Sequence, residues 1–360
     1  MDRLNELGFY TLAGHSDSPR DLVAEVRDAE RLGLGSAFIS ERFNLKDAAT
    51  LSGAAGAVSE TLGIATAATN HNTRHPLVTA TFATTMHRLT GGRFALGLGR
   101  GFDALFNAIG LRPITGAELE DIAGILRRLW RGEMILNHDG PAGRYTYLHQ
   151  DAGFDEDIPL LLVALGPKSL ELAGRVMDGV VLHTYFGDKA LSESVAAVRR
   201  GADQAGRDPD SIRIWSVLAT VGDHIDGDLR LKKLVGRLAS YLQGYGDLLV
   251  RVNGWDPAML AAFREDDFVR SFRGSFDATA TTAELEHLAT LIPPEWLSSA
   301  ATGTPEECTK TILRQFDLGA NGVILHGATP AELEPILPAY RSARPDRFVL
   351  APANPGRPLP

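Results

Sequence analysis

Cysteine is nearly absent. Cys308 is the single one in 360 residues, so neither an internal disulfide nor a cysteine-built metal cage can form, which fits a reducing cytoplasm. Positive charge is also in short supply: 36 Lys and Arg face 45 Asp and Glu, a net charge of −9. With no run of five like charges, the footprint of a nucleic-acid binder is missing. No apolar stretch approaches the roughly 18 residues that span a bilayer, and the N-terminus has no signal-like apolar segment. The expectation is a cytoplasmic protein acting on a small molecule, without nucleic-acid or membrane partners.

What is present is alternation. Eight β-rich runs, at 7–13, 36–40, 62–69, 94–99, 160–164, 179–183, 212–221 and 322–326, are each followed by a stretch with helical spacing. Eight such units predict a closed (β/α)₈ barrel. Ser18 with Pro19 predicts a helix start, and the apolar face from Leu22 to Leu32 ends at Gly33. Thr304 with Glu307, and Thr329 with Glu332, read as capping boxes. Cys308 lies on an apolar helix face, and a structural role outweighs a reactive thiol there.

Two stretches exceed what the repeat needs. Residues 131–159 read as an excursion with a hairpin, and 224–300 as a helical insertion whose Tyr241, Tyr245, Trp255, Phe263 and Trp296 could wall a substrate pocket. The division is one barrel domain over 1–343 and a Pro-rich tail over 344–360, expected to be loosely attached.

In such a barrel the chemistry sits at the carboxyl ends of the strands. Those ends carry His15, Glu41, Arg42, Asn70, Arg74, Arg100, Asp103, Lys168, His183 and His326. Glu41 closes an apolar strand, so it is either a functional acid or the partner of Arg42 or Arg74. His183 and His326 end strands and could act as acid or base, or could be hydrogen-bonded wall residues. Gly166, Pro167 and Lys168 stand between a strand and a helix, where unpaired amides could hold a phosphate or the chain could simply turn. Gly97, Gly99 and Gly101 lack the next glycine of a dinucleotide fingerprint, but they would let a ring approach the backbone closely. His71 and His75 have a metal-like spacing, yet Pro76 puts them in a loop, so no metal site is assigned.

The segments LGSAFISE (34–41), TRHP (73–76), LTGGRFALGLG (89–99), GPKSLELAGR (166–175) with Asp178 and Gly179, and GTPEE (303–307) with GANG (319–322) resemble, in order, the bacterial luciferase-like monooxygenases and their coenzyme F420-dependent relatives. The resemblance implies a luciferase-like TIM barrel, an oxidoreductase transferring a hydride between F420 and a small organic substrate, and a homodimer. FMN is the alternative cofactor, with monooxygenation as its chemistry. A barrel that binds such a ligand without turnover, and a metal-dependent hydrolase, remain open.

The resemblance also implies site positions. Glu41, Arg42, Asp103 and His183 become the catalytic candidates. Ala67, Ala68, Asn70, Arg74, Gly99, Arg100, Gly101, Gly166, Pro167 and Lys168 become the cofactor candidates, and 65–68 covers the strand-three bulge that in the family often contains a non-prolyl cis peptide, a point this sequence leaves open. One departure stands out. Sugar-phosphate dehydrogenases of the family carry a histidine after the strand-two acid, whereas here Arg42 follows Glu41, and arginine is a poor general base.

Overall fold

A computed structural model describes residues 2–360 of the chain. Eight strands close into a barrel: β1 (Leu4–Tyr10), β2 (Leu34–Ile39), β3 (Gly63–Thr66), β4 (Phe94–Gly99), β5 (Leu160–Val163), β6 (Gly179–Val181), β7 (Arg213–Gly222) and β8 (Gly322–His326). Each pairs in parallel with the next, and β8 returns to β1 with Val323 opposite Leu7. Parallel neighbours need crossovers, and helices such as Pro76–Leu89 and Pro305–Asp317 supply them on the outside. β3 is shorter than its apolar run and ends at Thr66; the Ala67–Ala68 peptide bond that follows is cis.

Every strand contributes inward side chains to the lumen. Phe38, Ala65, Ala95, Leu161, Val181, Trp215 and Ile324 form one buried cluster, with Tyr10 and Val163 packed on it. Small residues on β3 and β4 face the bulky Phe38 and Trp215, whose rings meet at 4.9 Å. The outer layer joins the helices to the sheet, and Cys308 lies there fully buried, its thiol pushed up to about 11 by burial.

The capping boxes at Thr304 and Thr329 form as expected. The first helix starts later than Ser18 and spans Asp21–Leu32, because residues 18–21 make a separate turn and the Ser18 hydroxyl accepts from the Arg20 amide. It stops at Gly33, whose φ of 73° suits glycine.

The tail differs from the expectation of loose attachment. Asn354 is buried and donates to the carbonyls of Gly92 and Phe94 at 2.7 and 2.9 Å. The Pro355 carbonyl accepts from Trp215 Nε1 at 2.7 Å. The tail turns at Asn354, whose carbonyl accepts from the Arg357 amide, and this turn seats the Ala351 and Pro355 carbonyls against Asn5 and Trp215, so the tail caps the amino-terminal end of the barrel.

The excursion is a hairpin, Ile135–Gly140 against Gly143–Leu148. The longer insertion folds into helices, then returns along the end of β7 through Ala301–Gly303. Its aromatics separate into two groups. Trp255 stacks on Trp296 at 4.5 Å, and Phe263 packs on Phe276, so these three fill the core of the insertion rather than a pocket wall. Tyr241 and Tyr245 face the barrel mouth beside His183.

Candidate active site

Backbone geometry sets the mouth. After β6 the chain turns at Tyr185, whose φ of 60° costs a non-glycine residue about 1 kcal/mol. Burial of that ring and a hydrogen bond from its hydroxyl to the Leu234 carbonyl at 3.0 Å hold the turn in place. The turn presents His183 inward.

His183 Nδ1 lies 2.9 Å from the Thr184 carbonyl, which can only accept, so the hydrogen belongs on Nδ1. Nε2 is then the acceptor for the Tyr245 hydroxyl at 2.7 Å. Burial pushes the His183 pKa down to about 4. His326, edge-on to Tyr10 at 5.4 Å, lies well below the usual histidine range through burial and then the charge of Arg237. Tyr10, Tyr241 and Tyr245 are pushed upward, chiefly by burial. The mouth therefore holds neutral imidazoles and protonated phenols at neutral pH.

Two guanidiniums share it. Arg237 pairs with Asp277 at 2.7 Å, and that carboxylate also meets His15 Nε2 at 3.0 Å and accepts from Ser240 and Ser275. Burial alone would raise the Asp277 pKa, but His15, Arg237 and Ser275 together hold it well below the usual carboxylate range. Arg42 has its pKa lowered by burial and then by the charge of Arg237. Its backbone exchanges two hydrogen bonds with Lys46, whose ammonium donates to the Leu12 carbonyl at 2.6 Å. Lys233 ties the insertion to the loop after β8 by donating to the Gly327 carbonyl and Glu332, each at 2.7 Å.

Glu41 pairs with Arg74 rather than Arg42. It accepts from Thr69 at 2.8 Å, from Asn70 at 3.3 Å and from Arg74 at 3.1 Å. Its carboxylate thus braces the loops after β2 and β3. Ala67, Ala68 and Gly99 lie together: a Cβ added to Gly99 would stand 2.8 Å from that of Ala68. Gly101 takes a φ of 64° above the Phe106 ring. Gly166 caps the helix Pro167–Val176, whose start has no side-chain cap, and a Cβ placed on Gly166 would meet nothing within 4 Å.

Other candidates point elsewhere. Arg100 donates to the Ile114 carbonyl at 2.7 Å and braces a loop. Asp103 is exposed at the first position of the helix Asp103–Ala108, and Lys168 is exposed beside Pro167. His75 accepts from the Leu77 amide at the start of the helix Pro76–Leu89, while His71 is buried away from it. Among the described residues no group of three potential metal ligands converges.

Sequence reasoning missed Arg237, Asp277, Tyr10 and Lys46. A signal existed for the first: Arg237, Tyr241 and Tyr245 recur every four residues, which places them near one helix face. Asp277 had none, because it reaches the mouth from another helix through tertiary packing.

A family model described as luciferase-like monooxygenase matches residues 5–322. A 5,10-methylenetetrahydromethanopterin reductase of Methanolobus tindarius is 29% identical over 320 residues, covering 86% of this chain and 90% of its own. An F420-dependent glucose-6-phosphate dehydrogenase of Intrasporangium calvum is 27% identical over 330 residues, covering 86% and 89%. Among solved structures, the coenzyme F420-dependent tetrahydromethanopterin reductase from Methanopyrus kandleri superposes with a TM-score of 0.78 at 19% identity, covering 94% of this chain and 99% of that one, a likeness of fold.

Proposed function

Because the chain belongs to the luciferase-like monooxygenase family, we propose that it is a coenzyme F420-dependent oxidoreductase that transfers a hydride between the deazaflavin and a small organic substrate. The observation that carries this reading is the mouth itself. Ala67, Ala68 and Gly99 put small side chains together on one side, an uncapped helix start at Gly166 lies on another, and a neutral His183 stands beside Tyr245. These features suit a planar ring that bears a phosphate. Relatives with F420 in their names supply the choice of deazaflavin over FMN.

When bound, the coenzyme supplies a carbon centre that gives or takes a hydride. The chain's own residues do the rest. Ala67, Ala68 and Gly99 leave room for the ring, Asn70 and Gly101 flank it, and the amides of Gly166 and Lys168 receive the phosphate, with Pro167 fixing the helix start between them. Glu41 and Arg74 fix the loops beneath. His183 Nε2 can take a proton from a substrate hydroxyl through the Tyr245 hydroxyl, which passes on its own proton as it receives one, while the Thr184 carbonyl at Nδ1 holds the imidazole in its acceptor tautomer. Arg42 stands beside the ring as a fixed charge. Asp103 and Arg100 stand at the rim, outside this set of contacts.

The reading includes a cytoplasmic location, drawn from the single cysteine, and a pair of identical chains, drawn from the family resemblance; no helix of the described residues is long and apolar enough to cross a membrane. Titration with F420 and with FMN, read by tryptophan fluorescence, tests the cofactor. Trp215 lies in the lumen beneath the mouth, so F420 is expected to quench emission and saturate at one per chain while FMN does not. A protein indifferent to F420 would overturn the proposal, and saturation by FMN alone would replace it with flavin-dependent monooxygenation.

A further inference from the structure

Hydride transfer leaves two features of the mouth unexplained. The first is Arg42. Its guanidinium is in no ion pair among the described residues, although Arg237, Tyr241, Asp277 and Tyr245 all lie within electrostatic reach. Asp277, the carboxylate nearby, already serves Arg237, His15, Ser240 and Ser275. Two guanidiniums therefore share one committed counter-charge beside neutral histidines. The Arg42 guanidinium, half-buried and without a carboxylate of its own, leaves its planar fork free for an incoming oxyanion.

The second feature is the lip. Phe43, Phe102, Ile109 and Leu105 are 53%, 52%, 49% and 45% exposed; Phe43 lies in the loop after β2, and the other three lie in and around the short helix Asp103–Ala108 that follows β4. Phe102 stacks on Tyr245 at 5.1 Å, and Phe43 leans on Phe106 at 6.3 Å, so this apolar surface is continuous with the mouth. Large side chains gathered in this way mark a binding surface.

We propose that the substrate is an apolar molecule bearing one carboxylate or phosphate, its anion held by Arg42 with Arg237 behind it and its apolar body laid along Phe43, Phe102 and Ile109. The inference rests on the F420 reading and names the substrate class of that same site. The cofactor's own phosphate is a poor alternative occupant of Arg42, because the uncapped helix start follows β5, three strands around the barrel from β2.

The test is calorimetric titration of 4-phenylbutyrate, phenyl phosphate and the neutral 4-phenylbutanamide into F420-saturated and cofactor-free protein. Either or both anions are expected to bind the saturated protein at least tenfold more tightly than the amide, and the tighter one identifies the headgroup. Arg42→Gln should abolish that preference and Arg42→Lys should keep part of it. Phe43→Ser with Ile109→Ser should weaken all three probes several-fold alike. Equal affinity for charged and neutral probes, or a preference untouched by Arg42→Gln, overturns the proposal. So does loss of anion binding as F420 saturates, which would assign Arg42 to the cofactor. Failure of F420 to bind would sink the functional reading separately, and the probe comparison on cofactor-free protein would then decide the anion subsite by itself.

Discussion

The Tyr245 hydroxyl donates to His183 Nε2 across 2.7 Å, joining the helical insertion to the end of β6. With the Thr184 carbonyl at Nδ1, this contact holds the ring as the Nδ1–H tautomer, its Nε2 lone pair engaged by the phenol. Since burial brings His183 from the usual 6.5 to about 4, the unfolded chain binds its proton first as pH falls. His183 should therefore make stability decline as pH drops through 6.5, continuing to about 4. Urea denaturation across that window should show a shallower slope in His183→Gln. Tyr245→Phe removes the donor to the neutral form and should move the titration of the ring upward by NMR.

Glu25 offers a slope of opposite sign. Its carboxylate accepts from the Leu12 amide at 2.6 Å, but burial outweighs that bond and brings its pKa from 4.5 to about 7. The folded protein thus retains a proton that the unfolded chain has released, and stability is lost as pH rises between those values. Glu25→Gln keeps an acceptor for Leu12 without the charge. Relative to the parent it should be more stable at pH 8 than at pH 5, and an unchanged difference between the two would refute the assignment.

The Glu41–Arg74 pair is mostly buried, with side-chain exposures of 6% and 17%. Arg74→Ala leaves the carboxylate to Thr69 and Asn70 and should cost about 3 kcal/mol in chemical denaturation. Arg74→Lys should recover only part of this, since a point charge cannot replace the guanidinium fork that reaches both Glu41 and Asp47.

Gly99→Val should act on the ligand more than on the fold. The new Cβ would crowd Ala68 at 2.8 Å, and the branches would extend into the space proposed for the ring. F420 affinity should fall more than tenfold with a modest loss of stability; equal affinity would remove Gly99 from the cofactor site.

The tail predicts a stability effect far from the mouth. Asn354→Ala leaves the Gly92 and Phe94 carbonyls without their donor, which should cost about 2 kcal/mol, or a Tm lower by roughly 3 °C for a chain of this length. Deleting residues 351–360 should lower Tm further, because it uncovers the lumen floor and takes the Pro355 carbonyl away from Trp215. A loosely attached tail would leave Tm unchanged.

By itself the sequence determined the periodic part of the protein. Alternating apolar runs, capping threonines and terminal glycines act over a few residues, so eight strands, their helices and the (β/α)₈ class could be read directly, and strand ends located the mouth. Tertiary structure alone decided which side chains meet there. Glu41 chose Arg74 over Arg42, Arg100 turned to a loop carbonyl, and Asp277 arrived from a distant helix to hold Arg237. The tail, which proline content marked as an ending, became the floor of the barrel. The reason is physical: local propensity is set by neighbours in sequence, whereas charge pairing and burial depend on groups brought together only when the barrel closes.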